Sequence, residues 1–186
     1  MITKIALGMI IALSASNIYA VDTHETNKQT NKQEQAHNQD AEIIGWLEVI
    51  NQAEIDAANV AKSKEVRPEV VEFADLMIKD HTDNLDKTHK LSSDLKIDPV
   101  KSSDTQKMQD KAEKKLKDLK KLDKHEFEKQ YIDTMIKDHS DALSAVNKKI
   151  SRVHDKELKK HLQATRMHIE QHLKKAKDIK KDLKKS

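Results

Sequence analysis

Apolar side chains recur every three or four residues along most of the chain after residue 40, the spacing of one face of an α-helix. Only Gly45, Pro68 and Pro99 interrupt this part of the chain, and such a shortage of turn formers argues against sheets. The pattern predicts four long helices and a shorter Lys-rich helix between the second and third. Their approximate bounds are 41–64, 68–95, 104–121, 125–152 and 155–184. The predicted fold is all-α, with the four long helices packed as a bundle.

A five-residue sequence occurs twice, as Met77-Ile78-Lys79-Asp80-His81 and as Met135-Ile136-Lys137-Asp138-His139. Around it, eight of thirteen positions are identical between residues 73–85 and 131–143. Such a repeat indicates a related pair of helices. In each copy the histidine falls on the apolar face, where it is a candidate for a buried polar site.

Each long helix has one ionisable residue near the middle of its apolar face. These residues are Glu54, His81, His139 and His172. Middle positions fall at similar heights in an up-and-down bundle, so we expect the four side chains to meet in one layer. Carboxylate and neutral imidazole both donate lone pairs to divalent cations. The layer is therefore a candidate site for Zn, Fe, Mn or Cu.

Three further residues extend this candidate site. His168 lies one turn before His172 and is a candidate nitrogen ligand. Asp80 and Asp138 precede the repeat histidines and point about 100° around the helix from them. Either carboxylate is a candidate acceptor that orients a histidine on a neighbouring helix.

Two other interpretations of the layer remain open. It could be a metal-free hydrogen-bond network that fixes helix register in a non-enzymatic structural or envelope-interaction module. It could instead hold a metal with an open coordination position that supports redox or hydrolytic chemistry. The sequence identifies no substrate for such an enzyme.

The N-terminus predicts export. Lys4 precedes an apolar run at residues 5–13, and small and polar residues follow as far as Ala20, as in a signal peptide cleaved there. The apolar run is too short for a transmembrane helix, which needs about 20 such residues. We expect a periplasmic protein, with an extracellular one as the alternative. Residues 21–40, which are polar and charged, predict a flexible tether, and residues 41–186 predict the helical domain.

Charge and composition limit the kinds of molecule that we expect the protein to bind. The net charge is +3 with 36% charged residues, and it becomes +2 when Lys4 is removed with residues 1–20. Near-balanced, interleaved charges are typical of solvated helix faces and argue against nucleic-acid binding. Lysines are dense at residues 111–124 and 174–185, where weak contact with anionic envelope components is the alternative to an ordinary solvated face. The chain has no cysteine, which excludes disulfides and a lipid anchor on cysteine.

Four segments resemble a bacterial secreted family known as domain of unknown function number 4142, whose members are often labelled outer-membrane proteins. The segments are residues 52–55, 70–85, 127–143 and 172–176, and the resemblance covers about residues 41–180. It implies a ferritin-like four-helix fold without an established activity. It also implies that Glu54, His81, His139 and His172 match the recurrent polar core of the family.

The sequence departs from related patterns at two places. Members of the family commonly carry Leu-Pro ahead of the last histidine, where this chain has Arg166-Met167. Ferritin-type di-iron sites use Glu-x-x-His, but Ile78 and Ile136 stand three residues before the repeat histidines. We therefore do not expect a ferroxidase of the usual kind.

Overall fold

The computed structural model describes residues 23–184, which form five helices and no strands. The helices are α1 (Thr23–Lys62), α2 (Pro68–Leu95), α3 (Ser103–Lys121), α4 (Lys124–Ile150) and α5 (Lys156–Leu183). The all-α prediction is confirmed for this part of the chain. The predicted signal peptide, residues 1–20, lies outside the described residues. None of the five helices is both long enough and apolar enough to cross a membrane.

Local capping explains where four of the helices begin. Asp123, Asp155 and Ser102 each accept backbone N–H groups from the first turn of α4, α5 and α3. Pro68 occupies the first turn of α2, where a missing N–H costs nothing. Because Asp123 starts a new helix, α3 and α4 are separate elements.

The first helix begins earlier than the sequence predicts. A start near Ala41 is wrong, because α1 begins at Thr23 and includes most of the segment expected to be a flexible tether. Residues 23–40 contain no glycine or proline that would end a helix, and Gln, Glu and Lys are good helix formers. The buried carboxylate of Asp40 accepts the backbone N–H groups of His154 and Asp155, which anchors α1 to the loop before α5.

The long helices pack in pairs, with α1 along α2 and α4 along α5. Contacts between α2 and α5 and between α1 and α4 join the pairs, while α3 lies mainly against α1. The buried apolar side chains form two clusters, and each long helix places at least one buried polar residue between them, including Glu54, His81, His139 and His172. The structure therefore divides the core into two apolar halves with a polar layer in the middle.

Gly45 lets the loop between α2 and α3 lie directly against α1. A Cβ at this position would be 2.3 Å from the carbonyl oxygen of Val100. The Val100 N–H donates to the carbonyl oxygen of Ala41 at 3.0 Å, so the loop backbone is held in place. Glycine is needed here for close approach of two backbones, although it is a poor helix former.

Gly45→Ala is expected to lower the free energy of unfolding by about 1–3 kcal/mol, because the methyl group meets backbone that cannot move away cheaply. Helix propensity alone predicts the opposite sign, a gain of about 1 kcal/mol. Urea unfolding followed by circular dichroism measures the difference. Gln33→Ala, at an exposed position of the same helix, is the control and should change stability little. A Gly45→Ala variant that is more stable than the parent would contradict the close approach.

Candidate metal centre

The polar layer is built from three of the four long helices at one height. Helix α2 contributes His81, α4 contributes His139 and α5 contributes His172, all of which are buried. Their ring centroids lie 5.3, 5.4 and 5.9 Å apart. One ring nitrogen from each histidine lies within 4.8 Å of the nitrogens from the other two. The structure therefore brings together the three histidines that the sequence places on the apolar faces.

The hydrogen bonds of His81 fix which of its nitrogens carries the proton. Its Nδ1 lies 2.9 Å from Oδ1 of Asn51. The amide nitrogen of Asn51 already donates to the carbonyl oxygen of Leu47 and to Oδ1 of Asn84, so its oxygen is the atom that faces His81. Since a side-chain amide oxygen only accepts, Nδ1 of His81 is the donor and Nε2 holds a lone pair.

The other two histidines follow the same rule with different acceptors. Nδ1 of His139 donates to the carbonyl oxygen of Met135 at 2.9 Å. Nε2 of His172 donates to Oδ2 of Asp80 at 3.0 Å. Each imidazole therefore uses its single N–H on an oxygen acceptor and keeps a lone pair on the opposite nitrogen.

These three lone pairs have no partner within the described residues. The atoms concerned are Nε2 of His81, Nε2 of His139 and Nδ1 of His172, and all are buried. A buried acceptor without a hydrogen bond costs about 1–3 kcal/mol. A cation bound by these nitrogens would satisfy all three lone pairs.

Burial controls the protonation of the layer. It lowers the pKa of His139 to about 3 and also lowers the pKa of His81 and His172, since a charged imidazole is poorly solvated there. The neighbouring imidazoles add to this effect, while the carboxylate of Asp80 opposes it at His172. All three rings are therefore neutral at pH 7, the state that metal binding requires.

Glu54 lies beside the three histidines but does not join them. Its Oε1 is 4.0 Å from Nδ1 of His139, the nitrogen already bonded to Met135, and it belongs to no group of three converging ligand atoms among the described residues. Its Oε2 has no hydrogen-bond partner there. Burial, together with the charge of Asp138, raises the pKa of Glu54 to about 8.

Asp80 and His168 form an outer group with His172. Nδ1 of His168 lies 3.7 Å from Oδ2 of Asp80, on a partly exposed side of α5. His168 thus lies next to Asp80, outside the group formed by His81, His139 and His172. Asp80 forms a hydrogen bond with a histidine on a neighbouring helix.

Asp138 has a different environment from Asp80, although both precede a repeat histidine. Its carboxylate accepts from the ammonium group of Lys115 on α3. Of the two aspartates predicted to orient a histidine, Asp80 bonds a histidine and Asp138 bonds a lysine. The physical reason is that α3 places a lysine opposite α4, whereas α5 places His172 opposite α2.

Sequence reasoning missed the asparagines that support the layer. Asn51 bonds His81 and Asn84, and Asn84 in turn donates to the hydroxyl of Thr165. Both asparagines are buried. A signal was present, because Asn51 stands four residues after Leu47, at a spacing that fits the buried face of α1.

Comparison with known proteins places the histidines inside a recognised sequence family. A family model described as "Domain of unknown function (DUF4142)" matches residues 25–179. The match covers 155 of the 186 residues, counting from 25 to 179, and includes every residue of the layer. Comparisons with curated proteins and with solved structures gave no significant match.

The metal-free protein is expected to be most stable near pH 6.5 and to lose stability on both sides. Below that pH the unfolded chain protonates three histidines that stay neutral when folded, so stability falls as pH falls. Glu54 has the opposite effect, because its pKa is 4.5 in a model peptide and about 8 when folded. Folding therefore favours its protonated form, and stability falls as pH rises towards 8. Each net proton changes the free energy of unfolding by about 1.4 kcal/mol per pH unit.

Urea unfolding between pH 4.5 and 8.5, in the presence of a chelator, measures this profile. Glu54→Gln should remove the loss of stability between pH 6.5 and 8 and make the fall below pH 6.5 steeper, because Glu54 opposes the effect of the histidines from about pH 4.5 upward. Glu42→Gln changes an exposed residue of the same helix and should leave both sides unchanged. A flat profile from pH 8 to pH 5 would contradict the assignment of neutral buried histidines.

Proposed function

The chain belongs to the family described as Domain of unknown function (DUF4142), and we propose that it binds one divalent transition-metal ion through His81, His139 and His172. Metal buffering or protection against metal stress is the function that such a site would serve. In this proposal α1, α2, α4 and α5 are a ferritin-like four-helix bundle, and α3 is the additional Lys-rich helix.

The observation that carries the proposal is the direction of the histidine N–H groups. Histidine ligands in metal sites donate the N–H of their other nitrogen to a carboxylate, a backbone carbonyl or another oxygen acceptor. Here the three acceptors are a side-chain amide, a backbone carbonyl and a carboxylate. Rings held in this way keep one lone pair each available before any ion arrives.

The spacing suits a small ion after a modest closure of the rings. Nitrogen ligands lie about 2.0–2.1 Å from Zn²⁺, which puts them about 3.4 Å from one another in tetrahedral geometry. The three nitrogens lie within 4.8 Å of one another, so side-chain rotation has to shorten these separations by about 1.4 Å at most. Three protein ligands leave a fourth position for water.

The type of ligand atom determines which metals the site would bind most tightly. Imidazole suits Zn²⁺, Cu²⁺ and Fe²⁺, whereas Mn²⁺ is better served by carboxylate and water. With Glu54 outside the group of three nitrogens, the layer offers imidazole alone. We therefore expect Zn²⁺ and Cu²⁺ to bind more tightly than Mn²⁺.

A metal-free structural network is the second candidate function. The hydrogen bonds that join Asn51, Asn84 and Thr165 favour it, because they fix the register of α1, α2 and α5 without an ion. It leaves the three histidine lone pairs unsatisfied within the described residues, at about 1–3 kcal/mol each. That cost is the reason to prefer the metal. A catalytic role has no support beyond the open coordination position.

Export is part of the proposal. We assign residues 1–20 as a signal peptide, so that the mature chain begins at Val21 and acts in the periplasm, with the extracellular space as the alternative. The support is the cation, the apolar run and the small residue at position 20. Nucleic acid is not a partner that the charge pattern favours.

Zinc binding to the untagged chain of residues 21–186 is expected to have a stoichiometry of one ion. Isothermal titration calorimetry and elemental analysis after dialysis measure it. The double variant His81→Ala/His139→Ala should lose the bound ion, while His125→Ala, an exposed histidine of α4, should retain it.

Asp80→Asn keeps an oxygen acceptor for His172 but removes the negative charge, and should weaken zinc affinity about 10–100-fold. Asp86→Asn is the exposed control on the same helix. Unchanged affinity in the double histidine variant would rule out this centre.

Expression of the full chain in a Gram-negative host is expected to yield a periplasmic protein whose N-terminal residue is Val21. Mass spectrometry of the intact protein from the periplasmic fraction measures this. Replacing Ile10 and Ile11 in the apolar run with aspartate should keep the chain in the cytoplasm, uncleaved. Recovery of uncleaved parent protein from the cytoplasm alone would refute the assignment.

A further inference from the structure

A second candidate site lies beside the histidine layer, in a cavity enclosed mainly by α1, α3 and α4. The cavity has a volume of about 300 Å³, and we call it the α3 cavity. Much of its wall is aliphatic, including side chains from α1 and α2 and from the inner face of α3. Representative residues are Val49, Ala53, Leu85, Ala112, Leu116 and Leu119. The proposed metal site does not use this space.

Glu54 gives the α3 cavity a polar group in its lining. The side chain is only 9% exposed, and its Oε2 has no hydrogen-bond partner within residues 23–184. A buried carboxyl group that lacks a partner is costly. It is therefore a position at which a bound molecule would gain a hydrogen bond that the protein does not itself supply.

The charges around the cavity are mainly negative. Besides Glu54, four acidic residues line it against two lysines. One of the lysines, Lys115, is bonded to Asp138, and the other, Lys101, donates to the amide oxygen of Gln109. Neither ammonium group donates a hydrogen bond to Glu54. An anionic ligand would meet uncompensated carboxylates, whereas a cation would be attracted.

We propose that the α3 cavity binds a small amphipathic cation, an aliphatic chain that ends in an ammonium group. The ammonium group donates to the carboxyl of Glu54, and the aliphatic chain lies against the apolar walls of α1 and α3. Apolar walls with a few polar groups that fix orientation are the usual composition of a small-molecule site. The volume is at the lower end of the range for such sites, which favours a short chain over a lipid.

This site does not depend on the proposed metal centre. Its ligand contacts come from α1, α3 and the outer side of α4, while the metal ligands come from α2, α4 and α5. The two proposals can therefore fail separately.

Three probes of equal chain length test the ligand class: hexylammonium, hexanoate and hexan-1-ol. Each is titrated into the chelator-treated chain of residues 21–186, and binding is followed by the backbone amide signals in two-dimensional NMR. Hexylammonium should bind at least about tenfold more tightly than hexanoate, because a hydrogen bond to a charged group replaces a repulsion. The largest shifts should occur at Ala53, Ala112 and Leu116.

Variants distinguish the contribution of the Glu54 carboxyl to binding from that of the apolar walls. Glu54→Leu removes the oxygen that accepts from the ammonium group and should weaken hexylammonium about tenfold, more than it weakens hexan-1-ol. Ala112→Leu fills the cavity and should weaken both probes, whereas Glu42→Gln, an exposed acid of α1, should weaken neither. Zinc affinity should be retained in Glu54→Leu and Ala112→Leu, and hexylammonium binding should be retained in His81→Ala/His139→Ala.

Two results would overturn the proposal. One is hexanoate or hexan-1-ol binding as tightly as hexylammonium, because the site would then not select a cation. The other is an absence of shifts at the amides of the cavity lining, in which case the space holds water only. If the parent chain binds hexylammonium but does not bind zinc, the metal centre is refuted and the α3 cavity site is not.

Discussion

Three neutral imidazoles that converge on one point, with their N–H groups all committed elsewhere, are the constraint around which this structure is organised. No proton lies between the rings, because Asn51, the Met135 carbonyl and Asp80 each accept the single N–H of a histidine. The acceptors belong to three helices, so the orientation of the rings depends on the packing of α1, α2, α4 and α5 together. The layer also interrupts the apolar core, which cannot be continuous where three ring nitrogens need polar surroundings.

The repeated sequence gives two similar buried histidines in two dissimilar environments. His81 and His139 both donate through Nδ1 and leave Nε2 free, although one acceptor is a side-chain amide and the other is the carbonyl of the preceding helical turn. The aspartates beside them differ more, since Asp80 bonds His172 and Asp138 bonds Lys115. The third histidine of the layer comes from α5, outside the repeat. A duplicated segment has therefore supplied two of the three histidines, and the surrounding helices have given each copy a different environment.

Much of this arrangement could be predicted from the sequence because burial in helices is periodic. The bounds of α2 to α5 and the three buried histidines follow from local spacing and capping residues. What could not be predicted depends on contacts between distant segments. Asp40 meets the loop at residues 154–155, and Glu54 and Asn51 both fit the apolar face of α1 within one turn. Only the packing decides that Asn51 reaches His81 and that Glu54 reaches the α3 cavity.

The division of the core has a consequence for cooperativity. Each long helix passes through both apolar clusters and crosses the polar layer between them. The two apolar clusters are separate at this level, so we expect each half to open as a sub-global unit with its own amide-exchange behaviour. An ion shared by α2, α4 and α5 at the dividing layer would oppose the separation of these helices. Metal binding would then couple the two halves more strongly, and it would change the internal dynamics of the protein as well as its shape.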